Sequence, residues 1–320
     1  MTGMPAPPCL EQFESVTCFG CGSAEFDPFV EAEDDLTGKP GRFRFVRCRQ
    51  CGLVYQNPRI RLEHIGAWYD DEYIAHRKKS DWGIWTPIHN WSMKRLDRAK
   101  LRLVRRFAGT RRGARVLDVG CGAGTFLVAA RGALAASVCG VDFKDLSQLP
   151  WLRGVDFRHG LFYEQEFAGD FDLVTMWHFL EHDYDPARTL SHARSVLAPE
   201  GRLVIEVPRL DSVSFRLYRE RWPGLQAPQH TALYSRESLR AMVSGAGLEI
   251  IHHLPYGAFP AYFYLFAGAA FKRLKGRGLD LNRAVGPYYL GQLLLSPLLL
   301  FERQLNLAMQ TVICRRAHAA

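Results

Sequence analysis

Leu117-Asp-Val-Gly-Cys-Gly-Ala-Gly-Thr-Phe126 leaves one apolar strand, Arg115–Val119, and opens a helix read from Thr125 to Arg131. The reading of the whole chain turns on this stretch. Its glycines let the backbone turn sharply and come close to a ligand, while a helix N-terminus offers N–H groups to an anion. The dinucleotide fingerprint G-x-G-x-x-G would need its third glycine at the position of Thr125, so this turn departs from it. Asp142 ends the next strand, Ser137–Asp142, where a carboxylate can accept both hydroxyls of a ribose. Further strands read at 155–158, 171–177 and 201–207, with helical stretches between them, notably 186–197, which opens on Pro186. Apolar strands so spaced imply a parallel sheet with helices on both faces. Two more strands, at 248–253 and 309–315, close one edge and bring the count to seven.

These motifs together resemble the class I S-adenosylmethionine-dependent methyltransferases. Residues 117–126 match their first motif, Gly140-Val-Asp142 the ribose-binding acid, Phe171-Asp-Leu-Val174 the fourth-strand motif, and 197–203 the turn before the fifth strand. The resemblance covers most of residues 112–253. It implies an α/β fold, a seven-stranded Rossmann-like sheet that binds S-adenosyl-L-methionine. The cofactor's amino-acid end would lie over Gly120, Cys121, Gly122 and Gly124, with Asp118 near its ammonium and Asp142 on its ribose. Phe143, Leu161 and Trp177 would line the rest. Many relatives carry an acid after the third strand for the adenine amine; Gly160-Leu161 stands here instead, so backbone and apolar contacts are expected to hold adenine.

Outward from the core, Cys18-Phe-Gly-Cys21 and Cys48-Arg-Gln-Cys51 form two Cys-x-x-Cys knuckles. Two such knuckles across a short hairpin close a four-sulfur site that suits a structural Zn²⁺ with no open position. Residues 1–60 are therefore read as a zinc ribbon, 61–112 as a helical connector, and 113–320 as the methyltransferase core. The connector is rich in aromatics (Trp68, Tyr69, Tyr73, Trp82, Trp85, Trp91), then in cations from Lys94 to Arg112 against Asp97 alone. Leu96, Leu101, Val104 and Phe107 thread it at near-helical spacing, giving an amphipathic helix with a cationic outer face.

The 320 residues are 48% hydrophobic and 23% charged, which excludes a largely disordered chain; eight cysteines are too few for a disulfide scaffold. The net charge of +8 favours acidic partners. No basic region followed by an apolar run opens the chain, so the expected location is cytoplasmic.

Methyl transfer from a sulfonium is an in-line displacement, and a hydroxyl acceptor must also lose a proton. Trp177-His-Phe-Leu-Glu-His182 follows the fourth strand, and His178, Glu181 and His182 fall on one side of a helical turn. Its Leu-Glu-His core is similar to the segment of ubiquinone-type O-methyltransferases and small-RNA 2′-O-methyltransferases, where Glu-x-x-Glu-His binds a divalent ion. Here His178 replaces the first Glu and His230 is the candidate downstream ligand. Three roles stay open for His178, Glu181, His182 and His230: ligands of a second divalent cation, a His182 or His230 general base, or structural hydrogen-bonders.

Between the last two strands lies an apolar insertion, about 257–305, with a basic connector of Lys272, Arg273, Lys275, Arg277 and Arg283. Translocating that connector would oppose the positive-inside bias, so the runs are not read as membrane spans. The insertion is either a helical pair that caps the cleft or forms a homodimer face, or a hairpin on the inner membrane face reaching a lipid-linked acceptor. The expected activity is O-methylation of a small-molecule or glycan acceptor. Sugar C-methylation, RNA methylation and a non-catalytic cofactor-bound scaffold are the alternatives; nucleic acid is the weaker partner because the basic run lacks interleaved aromatics.

Overall fold

The computed structural model describes residues 7–69, 79–134, 136–299 and 301–317. Tyr73 and the rest of 70–78, part of the connector read as helical, lie outside these residues, as does the N-terminal 1–6. Seven strands form the main sheet: β1 (Arg115–Val119), β2 (Ser137–Asp142), β3 (Asp156–His159), β4 (Phe171–Trp177), β5 (Leu197–Pro208), β6 (Leu248–Leu254) and β7 (Met309–Arg316). Their order is β6-β7-β5-β4-β1-β2-β3. The five strands from β5 to β3 pair in parallel, as their nearly unbroken apolar runs require of strands covered on both faces. The sheet is mixed rather than wholly parallel, because β7 enters antiparallel between β5 and β6.

Both faces are covered. On one, Leu101 and Val104 of the helix Thr86–Phe107 pack with Phe126, Leu127 and Leu134 of the helix Thr125–Leu134. On the other, Leu190 and Ala193 of Pro186–Val196 meet Leu239, Met242 and Val243 of Arg236–Gly245. Asp185 caps Pro186–Val196 by accepting the N–H of Arg188, which satisfies one of the orphan donors of its first turn.

The ribbon is built into the core. Its strands Phe26–Ala32, Phe43–Cys48 and Val54–Gln56 are joined by Ala232–Leu233, which pairs antiparallel with Val54–Gln56. Cys18, Val46, Leu53 and Tyr55 share one apolar cluster with Leu180 and Tyr234. The insertion forms two helices, Tyr262–Leu274 and Leu281–Leu294, and a short one at Ser296–Leu299. Tyr264 packs with Trp222 and Phe215, and Phe271 with Leu36. No helix of the described residues is long and apolar enough to cross a membrane.

Candidate functional site

The ribbon brings Cys18, Cys21, Cys48 and Cys51 within 4.8 Å of one another through their sulfurs. Cys18 Sγ lies 3.4 Å from Cys51 Sγ, and Cys21 Sγ lies 3.5 Å from Cys48 Sγ. Four thiolates about 2.3 Å from a tetrahedral zinc would stand about 3.8 Å apart, so the donor set fits that ion. The Gly20 N–H donates to Cys18 Sγ at 3.4 Å, as expected at a thiolate knuckle.

At the carboxyl ends of β1 and β2, Gly120, Gly122 and Gly124 all adopt left-handed φ, from 50° to 69°. A side chain at Gly120 would overlap the Phe179 ring, so only glycine passes there. Asp142 accepts from the Gly122 N–H at 2.7 Å and the Lys144 N–H at 3.0 Å, which fixes its carboxylate beside the turn. Asp118 is buried and accepts from Thr175 Oγ1 at 2.5 Å. Burial pushes its pKa up to about 7, against the pull of Lys100 and Thr175. Cys121 is buried, its Sγ against Gly140 of β2. Phe143 is half exposed, with its ring 5.1 Å from that of Tyr69. Leu161 begins the turn after β3, beside Gly160, whose N–H donates to Asp142 O at 2.9 Å. Trp177 packs edge-on against Phe126 at 5.5 Å and leaves its buried indole N–H without a partner.

Two residues of this edge escaped the sequence reading. Asp97 and Lys100 belong to the basic run, yet Asp97 is buried and accepts from Thr125 Oγ1 at 3.3 Å. Lys100 Nζ lies 5.2 Å from the Trp177 ring and 5.7 Å from that of Phe126. Their spacing with Leu101 and Val104 places them on the inward face, a signal that the overall charge of the run obscured.

After β4 the expected four-residue set divides. His178 takes a left-handed φ of 55°, and its ring lies between two carboxylates. Nδ1 is 3.3 Å from Glu181 Oε1 and Nε2 is 3.3 Å from Glu206 Oε1. Burial alone would lower the imidazole pKa, but the two acids outweigh it and raise it to about 9. Glu206, on β5, also accepts from the Ala258 N–H at 2.6 Å and the Phe259 N–H at 2.9 Å. Nothing in the sequence around Glu206 marked it; only the pairing of β4 with β5 brings it to His178.

His182 turns the other way, to His230, with ring centroids 4.4 Å apart and nearly perpendicular. Its Nδ1 is 2.7 Å from Tyr69 Oη and 3.1 Å from Gln229 O. His230 Nδ1 is 2.8 Å from Gly224 O, which assigns the proton to that nitrogen and leaves Nε2 as a lone pair. Burial, reinforced by neighbouring histidines, pushes both imidazoles down to about 3, so both are neutral. Glu181, His182 and His230 each offer a ligand atom within 4.8 Å of the others. Both Glu181 oxygens are buried without a hydrogen bond; the approach of His178 has ion-pair distance but not hydrogen-bond alignment. A buried carboxylate so placed beside two neutral imidazoles is a fitting donor set for a divalent cation. The loop carrying His230 is held by Gln56 of the ribbon, whose Nε2 donates to Pro228 O at 2.9 Å and His230 O at 2.8 Å.

The family model described as a methyltransferase domain matches residues 92–253, just over half of the chain. The chain belongs to this family. The chain is 33% identical over 139 residues to the ubiquinone biosynthesis O-methyltransferase of Aromatoleum aromaticum, covering 41% of this chain and 56% of that one. It is 34% identical over 155 residues to the protein of the same name from Xanthomonas oryzae pv. oryzae, covering 45% and 61%. The chain thus spans about three fifths of the length of these curated relatives. Among solved structures it is similar to a Haemonchus contortus phosphoethanolamine N-methyltransferase in complex with phosphomonomethylethanolamine and S-adenosylhomocysteine. That likeness has 19% identity and a TM-score of 0.45, over 68% of this chain and 52% of that one. The family match, the seven-stranded sheet and the glycine turn agree on an S-adenosylmethionine-dependent methyltransferase core.

Proposed function

We propose that this protein transfers the methyl group of S-adenosylmethionine to a hydroxyl of a small-molecule or glycan acceptor. The observation that carries the reading is Phe179: its ring packs on Gly120 of the cofactor turn, and its neighbours in the chain are His178 and the Glu181–His182 turn. Cofactor loop and polar cluster therefore share one wall, as an in-line displacement needs.

Bound S-adenosylmethionine would supply an electrophilic methyl on sulfur. Asp118, largely desolvated, regains its charge beside the cofactor's ammonium, and Asp142 receives the ribose hydroxyls. Asp97 and Lys100 close the same end from the helix Thr86–Phe107. Glu181, His182 and His230 would hold a divalent cation, which lowers the pKa of an acceptor hydroxyl. One carboxylate with two imidazoles suits zinc or a transition metal better than Mg²⁺. His178, clamped by Glu181 and Glu206, carries positive charge beside the Glu181, His182 and His230 cluster, and Tyr69 and Gln229 fix the His182 ring. The four ribbon cysteines bind a structural Zn²⁺.

The O-methyltransferase relatives support a hydroxyl acceptor. A membrane-associated acceptor is supported by Leu290, Leu293 and Leu294, all strongly exposed on one face of Leu281–Leu294. Ser92 bonds Tyr289 and ties that helix to the cationic one, where Trp91 is exposed under Arg95. Exposed apolar side chains beside cations suit peripheral contact with an anionic membrane. The test is turnover of S-adenosylmethionine, with a mass-spectrometric search for products heavier by one CH₂ in extracts with and without the enzyme. Absence of any such product, with cofactor bound, would overturn the reading.

A further inference from the structure

Where the ribbon meets the exit of β5, Arg47, Arg216, Arg219, Asp211, Phe215 and Ser235 line a cavity of about 260 Å³. Two of its arginines are held by rings rather than by acids. The Arg47 guanidinium lies 4.6 Å from the Phe29 centroid, Phe29 stacks on Phe215 at 5.8 Å and 16°, and Arg219 lies 5.4 Å from Phe215. This column of cation, ring, ring and cation bridges ribbon and core. It orients both guanidiniums while leaving their N–H groups uncommitted.

Among the described residues, none of Arg47, Arg216 and Arg219 forms a side-chain hydrogen bond or ion pair. The one lining acid is already engaged. Asp211 accepts from Arg209 at 2.7 and 3.0 Å and from the Arg236 N–H at 3.0 Å. Arg219 also adopts a left-handed φ of 50°, a conformation that a non-glycine residue keeps only where its surroundings hold it. Three exposed guanidiniums thus line one concavity with no acid free to pair with them. Their forked N–H groups match the oxygens of a phosphoryl group.

We propose that this cavity binds a phosphate or diphosphate group, and that the group belongs to the methyl acceptor. The second half rests on the methyl-transfer reading above. The cavity opens just beyond β5, the strand that carries Glu206, and Ser235 lies five residues after His230, so it sits on the same edge of the sheet as the polar cluster. The phosphoryl group is either that of a soluble phosphorylated acceptor or that of a lipid headgroup.

The test is calorimetry on the full, zinc-loaded chain, first with inorganic diphosphate and then with phosphatidic acid vesicles against phosphatidylcholine vesicles. The variant is R216Q/R219Q, with S-adenosylhomocysteine affinity measured in parallel as a check on the fold. Either probe should bind the parent, more weakly at higher salt, and the variant should bind it at least tenfold less well while keeping S-adenosylhomocysteine affinity. Binding of free diphosphate indicates a soluble acceptor; binding of the acidic vesicles alone, weakened in R216Q/R219Q, indicates a headgroup. R216Q, outside the ring column, serves if the double variant misfolds, with a smaller loss expected in the same direction. No binding of either probe to the parent, or equal binding to parent and variants, would overturn the site. Intact diphosphate binding with no methylation of any phosphorylated compound would keep the site and overturn its assignment to the acceptor.

Discussion

His178 Nε2 lies 3.3 Å from Glu206 Oε1, and the same carboxylate holds the N–H groups of Ala258 and Phe259. One buried acid on β5 thus anchors both the ring that follows β4 and the loop leading into the helical insertion. Replacing Glu206 by Gln keeps the shape but leaves the imidazolium half-paired. A stability loss of about 3 kcal/mol is expected by thermal denaturation, from a broken buried pair. Turnover should fall at least about tenfold while S-adenosylhomocysteine affinity holds, as for an outer-shell change. Burial alone would raise the Glu206 pKa, but His178 and the two amides lower it below the usual range. An acid so lowered stabilises the fold above the ordinary carboxylate pKa, about 4.3, and the contribution is lost as pH falls through the depressed value. The difference in Tm between parent and E206Q should therefore shrink below about pH 4.

Glu181 has both oxygens buried without a hydrogen bond, at ion-pair distance from His178 and beside His182 and His230. E181Q and H230A should each lower turnover by about a hundredfold or more, at unchanged cofactor affinity. Metal analysis should find one divalent ion beyond the ribbon zinc in the parent and lose it in both variants. A variant that keeps its turnover removes the cluster from the chemistry. Loss of turnover in H230A, with no second ion in the parent, makes His230 a base instead.

Gln56 of the ribbon holds the backbone of the loop that carries His230. C48S should release the zinc and, by loosening Val54–Gln56, disorder the backbone that Gln56 holds at His230. The expected result is a fall in both Tm and turnover, read by calorimetry and assay. A zinc-free variant with full turnover would show that the ribbon and the site are uncoupled.

Leu293 and Leu294 are each 70% exposed, so acidic side chains there should not disturb the fold. L293E/L294E should abolish flotation with anionic liposomes while leaving S-adenosylhomocysteine binding intact. Equal flotation of parent and variant, or none of the parent, contradicts the membrane reading. Dimerisation of the parent that the variant breaks assigns the patch to a second copy.

The sheet was legible because each strand is a short apolar run and each turn carries its own signal, from Gly120–Gly124 to Pro186. The antiparallel entry of β7 was not, since direction leaves no mark on an apolar run such as Met309–Arg315. In the site, the spacing of His178, Glu181 and His182 suggested one group. The structure leaves Glu181 between the two rings but turns His178 toward Glu206 and His182 toward His230, because His178 leaves β4 with φ at 55° and the turn at Leu180–His182 is a 3₁₀ turn. Glu206, Gln56 and Tyr69 reach the cluster from β5, the ribbon and the connector, and no local pattern announces such contacts. The cationic run likewise hid Asp97 and Lys100 among residues that do face solvent.

The most direct measurement is titration of zinc-replete protein with S-adenosylhomocysteine by calorimetry, alongside G120A. Saturable binding of one equivalent to the parent is predicted. At least about tenfold weaker binding is predicted for G120A, whose methyl group would meet Phe179 in a left-handed backbone conformation. Absence of heat with the parent, or identical binding by both proteins, would contradict the assignment of the Asp118–Gly124 turn as the cofactor's seat.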